Sequence, residues 1–199
     1  MSDLFHDRAA DWDNQPVPAQ ISAGVTRALR QRVALGPDDI VLDFGAGTGL
    51  IAGAIAPFVA HIHAVDISEA MLTQLAAKPE LRGKTTIHRQ DLLVEPLDVE
   101  VDLIVSAMAL HHVADTPGAM RALRRHLRPG GRLALADLDA EDGSFHPPGA
   151  EGVFHAGFDR AALGELMRAA GFTDVVFDTA TEVTKDGRRY PIFLVTAVA

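Results

Sequence analysis

Short apolar runs alternate with helix-like segments along most of the chain, and this alternation constrains the fold more than any other feature. Several of the runs are continuously apolar, as expected of strands that helices cover on both faces. We therefore predict an α/β fold with a doubly wound, mostly parallel, seven-stranded sheet. The predicted strands are Ile40–Phe44, Ile62–Val65, Thr85–His88, Val101–Ala107, Arg132–Leu138, Asp174–Thr181 and Pro191–Val198.

Helical patterns and turn signals complete the predicted organisation. The Asp-Gly pair within residues 185–188 favours a tight hairpin, so we expect the last strand to run antiparallel to its neighbour. Residues 139–157 are rich in Gly, Pro and His and are predicted to form a lid loop. We interpret residues 1–199 as one domain, with residues 1–35 as an N-terminal helical cap. The predicted helices are residues 2–12, 18–33, 48–56, 68–78, 117–127 and 159–170.

Composition and charge argue against several classes of protein. The chain has no cysteine, which excludes a disulfide framework and a thiolate zinc site. Its net charge of −9 argues against a nucleic-acid partner. No apolar run reaches the roughly 18 residues that a membrane span needs, and the acidic N-terminus does not have the pattern of a signal peptide. We expect a cytoplasmic protein that has no membrane partner and is a monomer or homodimer.

A glycine-rich loop follows the first predicted strand. Gly45-Ala46-Gly47-Thr48-Gly49 permits a sharp turn and lets a ligand approach bare backbone amides at the start of a helix. The next strand ends at Asp66, where a carboxylate can accept hydrogen bonds from two ribose hydroxyls. The loop and Asp66 together indicate a nucleotide site. Taken singly, the glycines fit a simple turn, and Asp66 fits a helix start.

The spacing of the glycines distinguishes between nucleotide classes. A nicotinamide fingerprint has glycines at its first, third and sixth positions, but here the sixth position is Leu50 and the fifth is Gly49. A short-chain dehydrogenase would also need a Tyr-x-x-x-Lys pair. The only tyrosine is Tyr190, and Leu194 holds the lysine position. An NAD(P)-dependent oxidoreductase is therefore the less favoured alternative.

Four motifs follow one another along the chain: Asp43–Gly49, Arg89–Leu92, Val101–Ser106 and Leu127–Gly131. The first has the form Asp-x-Gly-x-Gly-x-Gly. In this order they resemble the motifs of class I S-adenosylmethionine-dependent methyltransferases, over nearly the whole chain. With Leu110–Val113 (Leu-His-His-Val) after the fourth strand, the chain is most similar to the small ubiquinone- and menaquinone-biosynthesis-like enzymes. The resemblance implies a Rossmann-like methyltransferase fold and S-adenosyl-L-methionine as the cofactor.

The resemblance also implies a role for each matching residue. Asp43 would lie near the amino group of the cofactor, and the backbone of Gly45, Ala46 and Gly47 would face its methionine part. Asp66 would bind the ribose hydroxyls. Met71 would flank the adenine, although its spacing fits a core position equally well. The other implied contacts are Ile67 beside the adenine, Asp91 and Leu92 at the adenine amino group and ring, and the Ser106 and Ala107 backbone at the ammonium group.

Two histidines after the fourth strand, His111 and His112, are the candidate catalytic residues. Histidine titrates near neutrality, and a base is needed only where the acceptor must lose a proton. Either residue could equally be a loop histidine that shapes the pocket. We expect in-line transfer of a methyl group to the O, N or C atom of a small-molecule acceptor. The alternative from another class is a non-catalytic S-adenosylmethionine-binding module.

The candidate substrate contacts lie outside the four motifs. They are Trp12 in the predicted N-terminal helix and His146 and His155 in the predicted lid. A metal site that combines these histidines with Asp115 or Asp137 is conceivable, but no tight ligand spacing supports one, so no metal is predicted.

Overall fold

A seven-stranded sheet forms the centre of the protein, whose computed structural model describes residues 3–199. Its strands are β1 Ile40–Phe44, β2 His61–Asp66, β3 Thr85–Arg89, β4 Val101–Ala107, β5 Leu127–Leu138, β6 Thr173–Lys185 and β7 Arg188–Val198. They lie in the order β3-β2-β1-β4-β5-β7-β6. Strands β1 to β5 pair in parallel, and β7 runs antiparallel to both β5 and β6. The predicted fold class is confirmed.

Helices cover both faces of this sheet. Within residues 3–199 the α-helices are α1 Pro16–Arg32, α2 Leu50–Ile55, α3 Glu69–Ala77, α4 Thr116–His126 and α5 Arg160–Ala169. Successive residues of a strand point to opposite faces. Accordingly, Val41 packs in a core with α1, α2 and α3, whereas Leu42 packs in a second core with α4 and α5. None of the helices in this part of the chain is long and apolar enough to cross a membrane.

The order of the strands places a ligand site at one edge of the sheet. The chain runs outward from β1 through β2 to β3, then returns to place β4 on the other side of β1. In open α/β sheets, ligands bind beyond the carboxyl ends of the strands at such a reversal. A ligand site is therefore expected at the loops after β1 and β4.

The predicted helix over residues 2–12 is wrong. Residue 2 lies outside the described residues, residues 4–8 form turns, and Ala9–Asn14 is a 3-10 helix. Instead of packing a helical stripe against the core, this segment is held by hydrogen bonds that the Asp3 and Asp13 carboxylates accept. The next predicted helix is confirmed as α1, which begins with Pro16 in its first turn, where a missing N–H does no harm.

Other boundaries shift for local reasons. Helix α2 begins only at Leu50, because Gly49 has a left-handed φ of 80°. It ends at Ile55, and Ala56–Phe58 continues as a 3-10 helix. The predicted tight hairpin is present: Asp186 and Gly187 both have positive φ, 51° and 76°, as a two-residue hairpin turn requires.

Candidate functional site

The glycine loop after β1 is bonded to the neighbouring strand. The Gly45 and Ala46 amides donate to the Val65 carbonyl at 2.9 and 3.0 Å, and the Gly47 amide donates to Asp66 Oδ2 at 2.8 Å. The expectation of bare amides is therefore wrong for these three residues. Their hydrogen bonds hold the loop in position. A ligand can therefore contact only the outer surface of the loop.

Two glycines of the loop have different surroundings. Gly47 and Gly49 both have positive φ, 53° and 80°. A Cβ on Gly47 would meet no heavy atom within 4 Å, whereas one on Gly49 would lie 2.8 Å from the Cγ of Leu75 in α3. Gly49 thus permits close packing of the loop on α3, and Gly47 leaves an open surface on which a ligand can lie.

Asp43, at the end of β1, carries an unpartnered buried oxygen. Its side chain is 1% exposed, and its Oδ2 is the only buried side-chain N or O atom within residues 3–199 that has no hydrogen-bond partner. Burial and the nearby Asp66 raise the pKa of Asp43 to about 7. An unsatisfied buried acceptor costs about 1–3 kcal/mol, and a ligand ammonium group would both satisfy it and stabilise its charge. The amino group of S-adenosylmethionine fits this requirement.

Asp66, at the end of β2, connects the glycine loop to the start of α3. Its carboxylate accepts from the Gly47 amide and, at 2.9 Å, from the Ser68 amide. Burial raises the pKa of Asp66. Because each carboxylate oxygen has two lone pairs, both oxygens can still accept from ligand hydroxyls.

The residues expected around the adenine differ in exposure. Ile67 is 63% exposed directly after β2, whereas Met71 in α3 and Leu92 are buried. Asp91 is exposed, and its Oδ1 accepts from the Leu93 amide at 2.9 Å. Ile67 thus offers an apolar surface to a ligand, and the side chain of Leu92 belongs to the second core.

The end of β4 is fixed by bonds to its two neighbouring strands. Ser106 Oγ donates to the Phe44 carbonyl at 2.8 Å, and Ala107 pairs with Ala136 of β5. The next residue, Met108, has a φ of 58°, which is uncommon for a residue other than glycine. No sequence pattern indicated this turn, which carries the chain away from the sheet toward His111.

His111 and Asp137 form a buried pair at the carboxyl ends of β4 and β5. Asp137 Oδ1 lies 2.7 Å from His111 Nδ1, and its Oδ2 accepts from the His111 amide at 3.1 Å. The side chains are 1% and 0% exposed. In the sequence, Asp137 was a candidate only for a metal site, and its pairing with His111 was not predicted. The available signal was an acidic residue in the otherwise apolar run of β5, Leu133–Leu138.

Two further histidines lie against this pair. His146 Nε2 is 3.2 Å from His111 Nε2, and His112 Nδ1 is 2.7 Å from the Gly152 carbonyl oxygen. Burial, reinforced by the neighbouring histidines, lowers the pKa of both His112 and His146 to about 4. Both imidazoles are therefore neutral at physiological pH.

Residues 3–14, the N-terminal segment, cross this edge of the sheet. Asp3 accepts from Ser68 Oγ at 2.8 Å and from the Ala70 amide at 3.0 Å. At the other end, Asp13 accepts from Thr48 Oγ1 at 2.5 Å and pairs with Lys78 at 2.6 Å. These contacts place the segment over the loop after β1 and the start of α3.

A pocket of about 290 Å³ opens between the N-terminal segment and residues 146–153. His112 and His146 line it together with Phe5, Arg8 and Glu151. Trp12 is not among the lining residues, but its ring centroid lies 6.0 Å from that of Phe5. The structure thus brings His146 and the region of Trp12 together beside the His111–Asp137 pair.

His155 is not part of this group. Its Nε2 lies 2.9 Å from the Val113 carbonyl oxygen and 3.1 Å from Thr116 Oγ1. It lines a separate pocket of about 270 Å³ at the N-terminal ends of α4 and α5. Within residues 3–199, no group of three or more His, Cys, Asp or Glu side chains is placed to hold a metal ion.

Comparison with known proteins identifies relatives over most of the chain. A family model described as a methyltransferase domain matches residues 17–176. An uncharacterized methyltransferase of Schizosaccharomyces pombe is 31% identical over 75% of this chain and 60% of its own length. A malonyl-[acyl-carrier protein] O-methyltransferase of Halorhodospira halophila is 32% identical over 69% of this chain and 50% of its own. The chain thus spans about half the length of these curated relatives.

A solved structure shares the fold. The DhpI–S-adenosylhomocysteine complex superposes with a TM-score of 0.77 at 21% identity, and the match covers 98% of this chain and 94% of that one. At this identity the likeness concerns the fold alone.

Proposed function

Because the chain belongs to the class I S-adenosylmethionine-dependent methyltransferases, we propose that it transfers a methyl group from S-adenosylmethionine to a small-molecule acceptor by in-line displacement at O, N or C. The observation that carries this proposal is the buried, unpartnered Oδ2 of Asp43, together with the open surface of Gly47. The bound cofactor supplies an activated sulfonium methyl group. The task of the chain is then to hold both molecules in line, which can contribute several kcal/mol and up to about 7–11.

Charge and hydrogen bonding support an assignment of the cofactor contacts. Asp43 would accept from the ammonium group of the cofactor, and Asp66 from its ribose hydroxyls. Ile67 would offer its exposed side chain to one face of the adenine, and Asp91 would offer its exposed carboxylate to the adenine amino group. The family match gives no support to the nicotinamide alternative.

The pocket beside His112 and His146 would hold the acceptor. Its volume of about 290 Å³ is close to the lower end of the range typical of small-molecule sites. The net charge of −9 disfavours a nucleic-acid acceptor. A cytoplasmic location, and assembly as a monomer or homodimer, stay predictions.

Calorimetry tests the cofactor assignment. S-adenosylhomocysteine and S-adenosylmethionine should bind and NAD(P)H should not. Asp66→Ala should weaken S-adenosylhomocysteine binding by roughly 1.5–3 kcal/mol, because it removes a charged hydrogen-bond acceptor. Asp98→Ala is the matched control, because Asp98 is exposed and precedes β4 at the opposite edge of the sheet.

Two results would contradict the assignment. Binding of NAD(P)H without either sulfur ligand would refute the proposed donor. An unchanged affinity in a folded Asp66→Ala variant would show that the ribose is held elsewhere. If the sulfur ligands bind but labelled S-adenosylmethionine labels no acceptor in a broad panel, the alternative of a non-catalytic binding module gains support.

A further inference from the structure

Three side chains form a hydrogen-bonded line from the interior to the pocket. Asp137 is fully buried and holds His111 Nδ1 at 2.7 Å. The second nitrogen of His111, Nε2, lies 3.2 Å from His146 Nε2. His146 lines the 290 Å³ pocket. The line therefore connects a buried carboxylate to the proposed acceptor site through two imidazoles.

The position of each proton along this line follows from Asp137. Its Oδ2 also accepts from the His111 amide at 3.1 Å, and its Oδ1 accepts from the Leu138 amide at 2.8 Å. A carboxylate only accepts, so in the neutral imidazole of His111 the proton lies on Nδ1 and the lone pair on Nε2. His146 Nε2 must then be the donor between the two rings. The remaining nitrogen of His146, Nδ1, is left with a lone pair.

His112, which also lines the pocket, has a lone pair on one ring nitrogen as well. Its Nδ1 lies 2.7 Å from the Gly152 carbonyl oxygen, which can only accept, so Nδ1 is protonated and Nε2 has the lone pair. Both histidines that line the pocket are thus hydrogen-bond acceptors at their free nitrogens. A neutral O–H group can donate a hydrogen bond to either of these acceptors.

We propose that Asp137, His111 and His146 form a proton relay, and that the methyl acceptor is a weakly acidic hydroxyl compound such as a phenol or enol. This inference rests on the proposed methyl transfer. His146 is the catalytic residue that contacts the acceptor, His111 is the final proton acceptor, and Asp137 is the positioning residue that holds and stabilises His111.

The proton and electron movements balance. The acceptor O–H bond breaks as its proton passes to His146 Nδ1 and the Nε2 proton of His146 passes to His111 Nε2. An electron pair of the acceptor oxygen forms the new bond to the methyl carbon, and the pair of the carbon–sulfur bond leaves with the sulfur, so that S-adenosylhomocysteine is released. The net positive charge comes to rest on His111, beside the Asp137 carboxylate.

The electrostatics of the pocket explain why a relay is needed. Burial and the nearby His111, His112, Lys185 and Arg8 lower the pKa of His146 to about 4. His146 alone would therefore be a weak base for a phenol. By releasing one proton as it gains another, it never carries the charge, which is stabilised by Asp137 instead.

Nuclear magnetic resonance of 15N-histidine-labelled protein tests the line without turnover. At neutral pH, His111 and His112 should be Nδ1–H tautomers and His146 an Nε2–H tautomer, with signals assigned by single His→Gln variants. Asp137→Asn should shift the downfield Nδ1 proton of His111 upfield, because it removes the charged acceptor. An Nδ1–H tautomer of His146 would overturn the relay.

Methylation of a graded acceptor panel with labelled S-adenosylmethionine tests the acceptor class. For phenols that are neutral at the assay pH, His146→Gln and Asp137→Asn should each lower kcat by about 10²–10⁴-fold, the usual contribution of proton transfer. For a nitrophenol that is already ionised, each loss should be under about tenfold, because no proton must move. His61→Gln, at the amino end of β2, is the matched control and should change neither rate.

The outcomes separate this inference from the proposed function. If the unmodified protein does not bind S-adenosylhomocysteine, the proposed function itself is refuted. If that ligand binds but no phenol or enol is methylated, the proposed acceptor class is wrong. The same holds if only carboxylic acids or amines are methylated. If His146→Gln and Asp137→Asn lower kcat equally for neutral and ionised phenols, the three side chains have only a structural role.

Discussion

At the scale of single residues, Gly47 and Gly49 separate ligand binding from stability. A Cβ on Gly47 would project into open space beside the loop, so its steric cost falls on the ligand. Gly47→Ala should lower the free energy of unfolding by only about 1–2 kcal/mol, the cost of a left-handed backbone at alanine. It should weaken S-adenosylhomocysteine binding about tenfold or more, which is about 1.4 kcal/mol or more. Denaturant unfolding and calorimetry measure the two effects.

Gly49→Ala is the matched comparison. Its Cβ would lie 2.8 Å from Leu75 Cγ, so overpacking of about 1–3 kcal/mol adds to the backbone cost. We therefore expect Gly49→Ala to be the less stable of the two variants. If Gly47→Ala binds S-adenosylhomocysteine as tightly as the unmodified protein, the open surface of Gly47 is not part of the ligand site.

At the scale of elements, α1 crosses β6 at a glycine. A Cβ on Gly24 would lie 2.4 Å from Thr181 Cβ. Replacing glycine with alanine inside a helix normally stabilises it by about 0.5–1 kcal/mol. Here Gly24→Ala should destabilise by about 1–3 kcal/mol, because the contact forces α1 away from the sheet. Thermal or denaturant unfolding measures the sign.

A double variant isolates the cause of this loss. Gly24→Ala with Thr181→Gly removes the clash, so the pair should show a favourable coupling of about 1 kcal/mol or more. Gly164→Ala in α5 is the control, since its Cβ would lie 3.3 Å from the flexible end of Arg168 and should be tolerated. Additive effects of the two substitutions would show that α1 is not held by this contact.

At the scale of the whole molecule, stability should depend on pH through opposing buried groups. The pKa of Asp43 is raised from 3.8 to about 7, so between these values the folded protein keeps a proton that the unfolded chain releases, and stability falls as pH rises. The pKa of His112 and of His146 falls from 6.5 to about 4. Between these values the unfolded chain binds the extra protons, so stability rises with pH.

Two histidines oppose one aspartate, so we expect a net rise in stability from pH 4 to 6.5. Burial also raises the pKa of Asp66, which makes stability fall as pH rises, and lowers the pKa of His63 and of His88, which makes stability rise with pH. Asp43→Asn should make stability rise more steeply with pH. His112→Gln combined with His146→Gln should make that rise shallower. Chemical denaturation across this pH range provides the check, and a slope insensitive to Asp43→Asn would contradict the buried-carboxylate explanation.

Much of the fold could be predicted because it depends on local pattern. Continuous apolar runs predict strands buried on both faces, and the Asp-Gly pair at residues 186–187 predicts the hairpin that reverses β7. The N-terminal segment could not be predicted in this way. Its conformation depends on Asp3 and Asp13, whose partners Ser68, Thr48 and Lys78 are distant in the chain.

The sequence by itself determined the sheet class, the place of the glycine loop and the two aspartates near the carboxyl ends of β1 and β2, because strand periodicity and turn chemistry act between neighbouring residues. Only the tertiary structure decided that the loop amides are already bonded, that Asp43 Oδ2 has no partner, and that His146 but not His155 joins His111. The reason is physical: hydrogen-bond partners and burial depend on which strand ends meet in space. Asp137 shows this most clearly, since its role depends on His111, which follows a different strand.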